Sequence, residues 1–405
     1  MKRVFAVALG ILTAIGGFVD IGDLVANALV GSHFGLSLAW ATLLGVVGIC
    51  VFAEMSGRVA AVTSRGTFDL IRERLGPRVG LLNLAASLLV TLLTFTAEIG
   101  GVALALELAT SVNYLLFVPV VGFAVWLVIW RVKFSTLEHV FGLLGLALIV
   151  FGVALWQLNP SWTDLFAQVA VPSKPADEGL PVYFYYAIAL FGAAMTPYEV
   201  FFFSSGGVEE HWKPKDIGTA RANVFIGFPL GGVLSLAIAG CAALVLLPAG
   251  IEVDTLGQVG LPVAVAVGKI ALAVAILGFV AATFGAAIET GLSTGYATAQ
   301  YFGWQWGKYV VPRQASRFHA LVLLAVAVLL TTVDPVLVTE FSVVFSAVAL
   351  PLTYFPILVV ANDPDYMGDK VNSRFTNALG SVYLLLLLVV AVATIPLMVL
   401  TKAGS

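Results

Sequence analysis

Two short segments of the sequence place carboxylates beside residues that interrupt helices. The first is Gly16–Asp23, in which three glycines accompany Asp20 and Asp23. The second places Pro197 two residues before Glu199. Carboxylate oxygens, together with backbone carbonyls freed where a helix breaks, are the ligands that hard divalent cations prefer. The two segments therefore predict a cation site.

The spacing of these residues supports a site more strongly than a purely structural role. Asp20 and Asp23 lie three positions apart, so on a continuous helix they would share a face and repel each other. A bound cation would remove that repulsion. Pro197 has no N–H and leaves the carbonyl of Ala193 without its helical donor. Close packing or a kink would explain the glycines and the proline. Neither explains why carboxylates are present at these positions.

The elements that carry these segments must lie in a lipid bilayer. The chain has 405 residues, of which 60% are hydrophobic and only 11% are charged. An ordinary soluble domain is about 45–50% apolar and about 25% charged. We therefore predict an integral membrane protein, which leaves too little chain for a separate catalytic or nucleotide-binding domain. Each charge within a span then needs a partner or a function, because burying it in lipid is costly.

Apolar runs separated by polar breaks predict an all-α protein with about eleven transmembrane helices, since one span needs about 20 apolar residues. The expected spans are 5–30, 36–60, 80–110, 114–131, 137–157, 182–205, 223–248, 262–300, 318–333, 336–361 and 376–401. Residues 1–405 would form one transmembrane domain. The first apolar run continues past the length of a cleavable signal peptide, so we expect none.

Basic residues predict the orientation of the spans. Of the 20 lysines and arginines, 17 fall on alternate loops, and the largest group follows the second span. Positive charge accumulates on the cytoplasmic side of a membrane. We expect a multi-pass protein of the plasma (inner) membrane with its N-terminus in the cytoplasm and its C-terminus outside. Glu54 and Arg58, four residues apart, are expected to form an ion pair.

The two interrupted spans, the first and the sixth, open two matching groups of five. Broken helices at corresponding places in two halves are typical of inverted-repeat transporters, whose site lies at the bilayer midplane. The halves would be 5–157 and 182–361, with 376–401 as an extra helix. This arrangement favours a transporter whose two repeats together enclose the cation.

The cysteines, the histidines and the glycine-rich segments do not indicate an enzyme. Two cysteines lie in apolar runs, and the four histidines lack metal-ligand spacing. We find no phosphate-binding glycine motif and no nucleophile elbow. The expected partners are a transported divalent cation and the lipid bilayer. No resident cofactor, nucleic acid or obligate protein partner is expected.

Several motifs resemble the natural resistance-associated macrophage protein (NRAMP) family of divalent-metal transporters. Asp20–Asp23 stands where the family has Asp-Pro-Gly-Asn, and Thr196–Tyr198 where it has Met-Pro-His. Ala97–Gly100 resembles the acidic signature of the third helix, Thr290–Gln300 the eighth helix, and Leu350–Pro351 the tenth. The resemblance covers nearly the whole chain. It implies a LeuT-type fold of five-plus-five inverted repeats with broken helices 1 and 6.

The metal ligands implied by the resemblance, with the acid beside the second break, are Asp20, Asp23, Ala193 (through its carbonyl), Thr196 and Glu199. The family's methionine sulfur favours manganese and iron over magnesium and calcium, whereas Thr196 offers only hard oxygen. The chain is most similar to the NRAMP-related magnesium transporter branch. We expect partly hydrated Mg²⁺ as substrate, with Mn²⁺ also admitted. Met195 would restore a sulfur ligand if the break shifted by one residue.

The resemblance also bears on proton coupling. Two histidines of the family's sixth helix are replaced here by Tyr198 and Phe203, which do not titrate near neutral pH. We therefore expect alternating access driven by the membrane potential, without proton coupling. Glu98 and Glu289 are expected as relay or pathway carboxylates or as structural acids. Asn27 is expected either to line the pathway or to pack between helices.

Three alternatives remain open at this point. A proton-coupled Mn²⁺/Fe²⁺ importer of the ordinary NRAMP type would normally carry the missing methionine and histidines. A cation-coupled symporter of an organic solute could use the same fold, although two acids at the first break would repel a substrate carboxylate. A non-transporting NRAMP-like protein would bind a cation without moving it.

Overall fold

A computed structural model describes residues 18–132, 134–172, 179–307, 310–311, 313–328 and 334–401. Within these ranges the chain forms helices joined by short turns. The helices are α1 (Ile21–Phe34), α2 (Ala39–Thr63), α3 (Thr67–Thr110), α4 (Val118–Arg131), α5 (Phe134–Gly145), α6 (Val150–Gln157), α7 (Trp162–Ala170), α8 (Leu180–Ala194), α9 (Pro197–Glu209), α10 (Ile217–Ala222), α11 (Phe228–Ala249), α12 (Leu256–Val267), α13 (Lys269–Phe302), α14 (Ser316–Val328), α15 (Pro335–Ala361), α16 (Pro364–Met367) and α17 (Arg374–Thr401).

The predicted all-α membrane architecture is confirmed. Nine helical segments of the described chain are long and apolar enough to cross a membrane. Two further expected spans are only partly described: the first is represented by α1, and the ninth by α14. The glycines at 16 and 17, which belong to the predicted first break, lie outside the described residues. The molecule is therefore a multi-pass helical membrane protein.

Two predicted spans have different ends in the structure. The eighth span was expected over 262–300, but α13 begins at Lys269 because Gly268, with a φ of 102°, separates it from α12. Both helices are apolar, so hydropathy does not reveal this boundary. The third span was expected from residue 80, but its helix begins at Thr67 and bends at Gly76, where φ is 84°. The polar residues before Gly76 extend this helix beyond its apolar part.

Both predicted helix breaks are present. At the first, Asp20 has an extended backbone conformation with φ −93° and ψ −176°, and α1 starts at the next residue. At the second, α8 ends at Ala194 and α9 starts at Pro197, so Met195 and Thr196 lie between the two helices. In each case the interruption falls within a buried segment of the bundle.

Glycines of α2 allow this helix to pack closely against the second break. A Cβ atom at Gly45 would lie 2.5 Å from the Cβ of Ala194. A Cβ atom at Gly48 would lie 2.5 Å from the sulfur of Met195. Contacts this short are not tolerated, so only glycine lets the helix and the broken segment meet. The close packing fixes the position of the break.

Loops that carry most of the basic residues lie together at one end of the bundle, which we call the basic end. Its described members include Arg58, Arg65, Arg72, Arg74, Lys213, Lys215, Arg221, Lys370 and Arg374, whose segments are joined by hydrogen bonds and ion pairs. A guanidinium N–H of Arg58 donates to the carbonyl of Lys370, and the amine of Lys213 lies 3.1 Å from the hydroxyl of Ser64. These contacts connect loops that are distant in sequence. The predicted ion pair between Glu54 and Arg58 is confirmed, at 3.1 Å.

Candidate functional site

Asp20 connects the two helix breaks. Its Oδ1 accepts the backbone N–H of Asp23 at 2.9 Å, which caps the start of α1. Its Oδ2 accepts a hydrogen bond from the Tyr198 hydroxyl at 3.3 Å. Tyr198 belongs to the first turn of α9, beside the second break. The structure thus brings together two predicted site residues that are separated by 178 positions in the chain.

A second carboxylate approaches the first break from α3. Glu98 Oε1 accepts the backbone N–H of Ile21 at 3.1 Å. The other oxygen, Oε2, has no hydrogen-bond partner within the part of the chain that the structure describes. The side chain is 0% exposed. A buried carboxylate oxygen without a partner is costly, so Glu98 is suited to bind a proton, a water molecule or a cation.

The carboxylate of Asp23 has a different set of neighbours from that of Asp20. Its Oδ1 accepts from the side-chain amide of Asn27 at 2.9 Å, and its Oδ2 accepts from the hydroxyl of Ser235 on α11. Asn27 accepts in turn from Thr42 on α2, at 3.5 Å. Asn27 therefore holds Asp23 in place. The two acids of the first break are oriented by different helices.

The second break supplies hard oxygen atoms. The hydroxyl of Thr196 donates to Oε2 of Glu199 at 3.3 Å, and both side chains are buried. The carbonyl of Ala193 lacks the donor that would normally come from four residues later, because that residue is Pro197. The neighbouring carbonyl of Met195 accepts from the hydroxyl of Tyr354 at 3.3 Å. The predicted Ala193, Thr196 and Glu199 therefore lie at one break.

Met195 packs its sulfur into a helix interface. A Cβ atom at Gly48 of α2 would meet both the Met195 sulfur and the ring of Tyr383 on α17, at 2.5 and 2.8 Å respectively. The side chain of Met195 is fully buried in this contact. Restoring a sulfur ligand from this residue would require the break to rearrange. The oxygen atoms of the break do not depend on such a change.

Glu289 adds a fourth member to the carboxylates around Asp20. It interacts electrostatically with Asp20, with Glu98 and with Glu199, which come from three other helical segments. None of the ion pairs in the described ranges involves any of these four acids. Negative charge collected in a buried region without basic partners favours the binding of cations or protons.

These acids do not form a closed metal cluster in the described conformation. Across the described residues, no three histidine, cysteine, aspartate or glutamate side chains converge to hold a metal ion. The carboxylates of Asp20, Asp23 and Glu199 are instead bound by hydrogen-bond donors of neighbouring helices. Metal binding here would exchange some of these donors for the ion.

A cleft of about 160 Å³ begins beside the first break. It extends away from the basic end, and we call it the outer cleft. Its walls are formed by α1, α8 and α15. Gly22, which stands between the two acids of the first break, lines it, and so do Thr339, Glu340 and Tyr185. A Cβ atom at Gly22 would lie 3.2 Å from the side chain of Val343. Glycine therefore keeps this wall of the cleft close to α15.

Several polar side chains that bind the site residues carry no clear signal in the sequence. Ser235 binds Asp23, and Ser293 on α13 donates to the backbone carbonyl of Tyr198 at 3.2 Å. The hydroxyl of Tyr354 binds the carbonyl of Met195. Ser235 is a single hydroxyl within an apolar helix, which is a weak signal because such residues often bond to their own backbone.

Comparison with known proteins agrees with this architecture. Residues 10–396 match the family described as Natural resistance-associated macrophage protein-like. The chain is 26% identical over 374 residues to the protein named Divalent metal cation transporter MntH of Erwinia tasmaniensis. That alignment covers 90% of this chain and 87% of the relative.

Solved structures have similar folds. The manganese transporter of Eremococcus coleocola, in complex with an aromatic bis-isothiourea substituted compound, has a TM-score of 0.72 at 17% identity, covering 96% of this chain and 85% of that one. MhsT in complex with L-phenylalanine has a TM-score of 0.63 at 17% identity, covering 96% and 97%. These likenesses show the LeuT-type fold. Because the family match spans residues 10–396, the chain belongs to the NRAMP family.

Proposed function

We propose that this protein is a secondary transporter that carries divalent cations across the membrane by alternating access, with Mg²⁺ as its main substrate and Mn²⁺ also accepted. The observation that carries the proposal is the hard, all-oxygen composition of the two helix breaks. The family relative is named a divalent metal cation transporter. A site without an available thioether favours hard cations over the softer transition metals.

We assign the substrate contacts to Asp20, Asp23, the carbonyl of Ala193, Thr196 and Glu199. The ion would replace the hydroxyl donors that these carboxylates accept in the described conformation. Mg²⁺ releases its water reluctantly and usually keeps several water molecules. The cleft of about 160 Å³ is large enough to hold several water molecules, which supports the passage of a partly hydrated ion.

In this proposal transport follows the membrane potential and is not coupled to protons. Tyr198 stands where a histidine would titrate near neutral pH, and it donates a hydrogen bond to Asp20. Its role is to position that carboxylate. Glu98 and Glu289 are assigned to the ion pathway, where their charge attracts the cation. Asn27 is assigned to positioning Asp23.

The proposed topology places the basic end in the cytoplasm of the plasma (inner) membrane. The N-terminus would then be cytoplasmic and the C-terminus outside. Residues 5–157 and 182–361 would form the two inverted repeats, and 376–401 the extra helix. The cleft beside Glu340 would be the entrance for external cations. The proposal requires no enzymatic activity, resident cofactor or obligate protein partner.

A second candidate is a proton-coupled importer of Mn²⁺ or Fe²⁺. The specific observation in its favour is the unpaired oxygen of Glu98, a group that a proton could occupy. A proton-coupled importer would acidify the receiving compartment during metal uptake, whereas the proposed transporter would not. The two functions are therefore separated by measuring proton movement together with metal movement.

The test is ion flux in proteoliposomes that contain separate Mg²⁺ and Mn²⁺ reporters and a pH dye, with the potential set by potassium. We expect voltage-dependent Mg²⁺ entry without acidification, and its loss in Asp20→Asn. Glu107→Gln, which alters an acid away from the breaks, serves as the matched control. Mn²⁺ entry with acidification would instead support the second candidate. Absence of metal flux in folded protein would refute both.

A further inference from the structure

A second cavity, of about 520 Å³, lies at the basic end of the bundle. It is bounded by the end of α2, by the π-helical turn Asn223–Gly227 that precedes α11, and by the start of α17. Three basic side chains line it: Arg58, Arg221 and Lys370. The cavity shares no lining residue with the cleft beside Glu340, and none of the residues assigned to the cation site lines it.

Two of the three basic side chains that line this cavity are accessible to a ligand. Glu54 lies between two guanidinium groups, at 3.1 Å from Arg58 and 2.9 Å from Arg221. Arg58 is buried and its donors are used within the protein, whereas the side chain of Arg221 is 55% exposed. Lys370 is also half-exposed and pairs with Asp369 at the surface. Three basic and two acidic lining residues give the cavity a net charge of +1.

Apolar side chains form the remainder of the lining. They are Val51, Phe225, Val371, Phe375 and Leu379. Phe225 and Phe375 are 53% and 76% exposed, which is unusual for phenylalanine unless lipid or a partner covers it. Helix α17 is predominantly exposed along its apolar length, so it forms a lipid-facing side of the bundle. The cavity therefore borders both the aqueous phase and the acyl chains.

We propose that this cavity binds the headgroup of an anionic phospholipid from the leaflet at the basic end. The phosphodiester would lie against Arg221 and Lys370, and the acyl chains would follow Phe225 and Phe375. Basic pockets between membrane helices are suited to anionic headgroups. A free soluble anion would leave the two phenylalanines uncovered. The net positive charge favours an anionic lipid over a zwitterionic one.

The lipid would connect two parts of the fold. Arg221 belongs to α10 and pairs with Glu54 of α2, whereas Lys370 precedes α17. Arg58 already connects them, because it binds both Glu54 and the carbonyl of Lys370, and a headgroup that binds both exposed basic side chains would add a second bridge. The expected consequence is greater thermal stability of the full-length protein in the presence of the bound lipid.

The test measures lipid binding by native mass spectrometry and the melting temperature of the full-length protein in detergent. Dioleoylphosphatidylglycerol is the anionic probe and dioleoylphosphatidylcholine the zwitterionic one. Removing one basic group should weaken phosphatidylglycerol binding about fivefold. Lys370→Gln is the main variant because it leaves the network of Glu54 with its two arginines intact. Arg221→Gln is the second variant, and Lys215→Gln, at the same end but outside the cavity, is the control.

We expect phosphatidylglycerol to bind and stabilise the wild type and Lys215→Gln, and to bind both cavity variants more weakly. Equal binding of phosphatidylcholine would overturn the assignment to an anionic lipid. Equal stabilisation by inorganic phosphate alone would overturn the assignment to a lipid. Unchanged phosphatidylglycerol binding in folded Lys370→Gln and Arg221→Gln would overturn the site itself. These outcomes do not depend on whether the protein transports Mg²⁺.

Discussion

The hydroxyl of Tyr198 donates a hydrogen bond to Oδ2 of Asp20, so the start of α9 is connected directly to the start of α1. Each residue lies beside one of the two helix breaks. The other oxygen of Asp20, Oδ1, accepts the N–H of Asp23. One carboxylate therefore caps α1 and also binds the side chain of Tyr198 at the second break. A cation that binds Asp20 must therefore affect both breaks at once.

Replacing Tyr198 by histidine should create a pH-dependent transporter. The ordinary pKa of histidine is about 6.5, and at this position burial would lower the pKa while Asp20 would raise it. Below its pKa the imidazolium beside Asp20 would repel a divalent cation, so uptake should fall as pH decreases from 7.5 to about 5.5. Wild-type uptake should not show this midpoint. The measurement is initial Mg²⁺ flux against pH at constant potential, and identical profiles for the two proteins would contradict the prediction.

Replacing Thr196 by methionine should shift selectivity towards Mn²⁺. The thioether adds a soft ligand to a break that otherwise offers oxygen atoms. We expect the ratio of Mn²⁺ to Mg²⁺ uptake to rise about tenfold, which corresponds to about 1.4 kcal/mol. Competition between the two ions in proteoliposomes measures this ratio. Thr196→Ser keeps the hydroxyl and should preserve the wild-type ratio.

Replacing Glu98 by glutamine separates a pathway role from a structural one. Glutamine retains an oxygen that can accept the N–H of Ile21, so the melting temperature should change little. Loss of the negative charge should nevertheless reduce Mg²⁺ flux several-fold. A control variant, Glu107→Gln, should retain wild-type flux. If Glu98→Gln transports normally, the residue is a structural acid.

Replacing Ser235 by alanine should destabilise the fold. The change removes a hydroxyl donor from the fully buried carboxylate of Asp23. Leaving a buried polar group without its partner costs about 1–3 kcal/mol. Thermal unfolding in detergent measures the loss. Thr110→Ala removes an exposed hydroxyl whose two partners, the carbonyl of Leu106 and the N–H of Val112, are also open to water, so this control should unfold nearly like the wild type.

Replacing Glu340 by glutamine should slow the capture of cations at the outer cleft. The carboxylate lines that cleft, and its charge raises the local cation concentration at low ionic strength. We expect reduced uptake at low Mg²⁺ concentration and an unchanged maximal rate. The difference should shrink in about 0.5 M salt, because the half-buried Glu340 faces an open cleft, where salt screens its charge. Glu252→Gln, an acid outside the cleft, should not show this dependence on salt.

The sequence by itself determined the features that follow from composition and local geometry. Lipid demands long apolar helices, and Pro197 cannot donate the hydrogen bond that would continue its helix. These constraints predicted the spans and both breaks. The four-residue spacing of Glu54 and Arg58 predicted their ion pair, because that spacing places two side chains on one helix face.

Only the tertiary structure decided which distant side chains meet. Glu98 binds Ile21 across 77 positions, and Ser235 binds Asp23 across 212. Helical periodicity shows which residues share a face but not which helix will cover that face. The packing of Met195 against Gly48 could not be predicted from the sequence either. Such a close approach depends on where a second helix lies. The local sequence fixes where the helices break, whereas packing between helices decides how the polar groups at those breaks are paired.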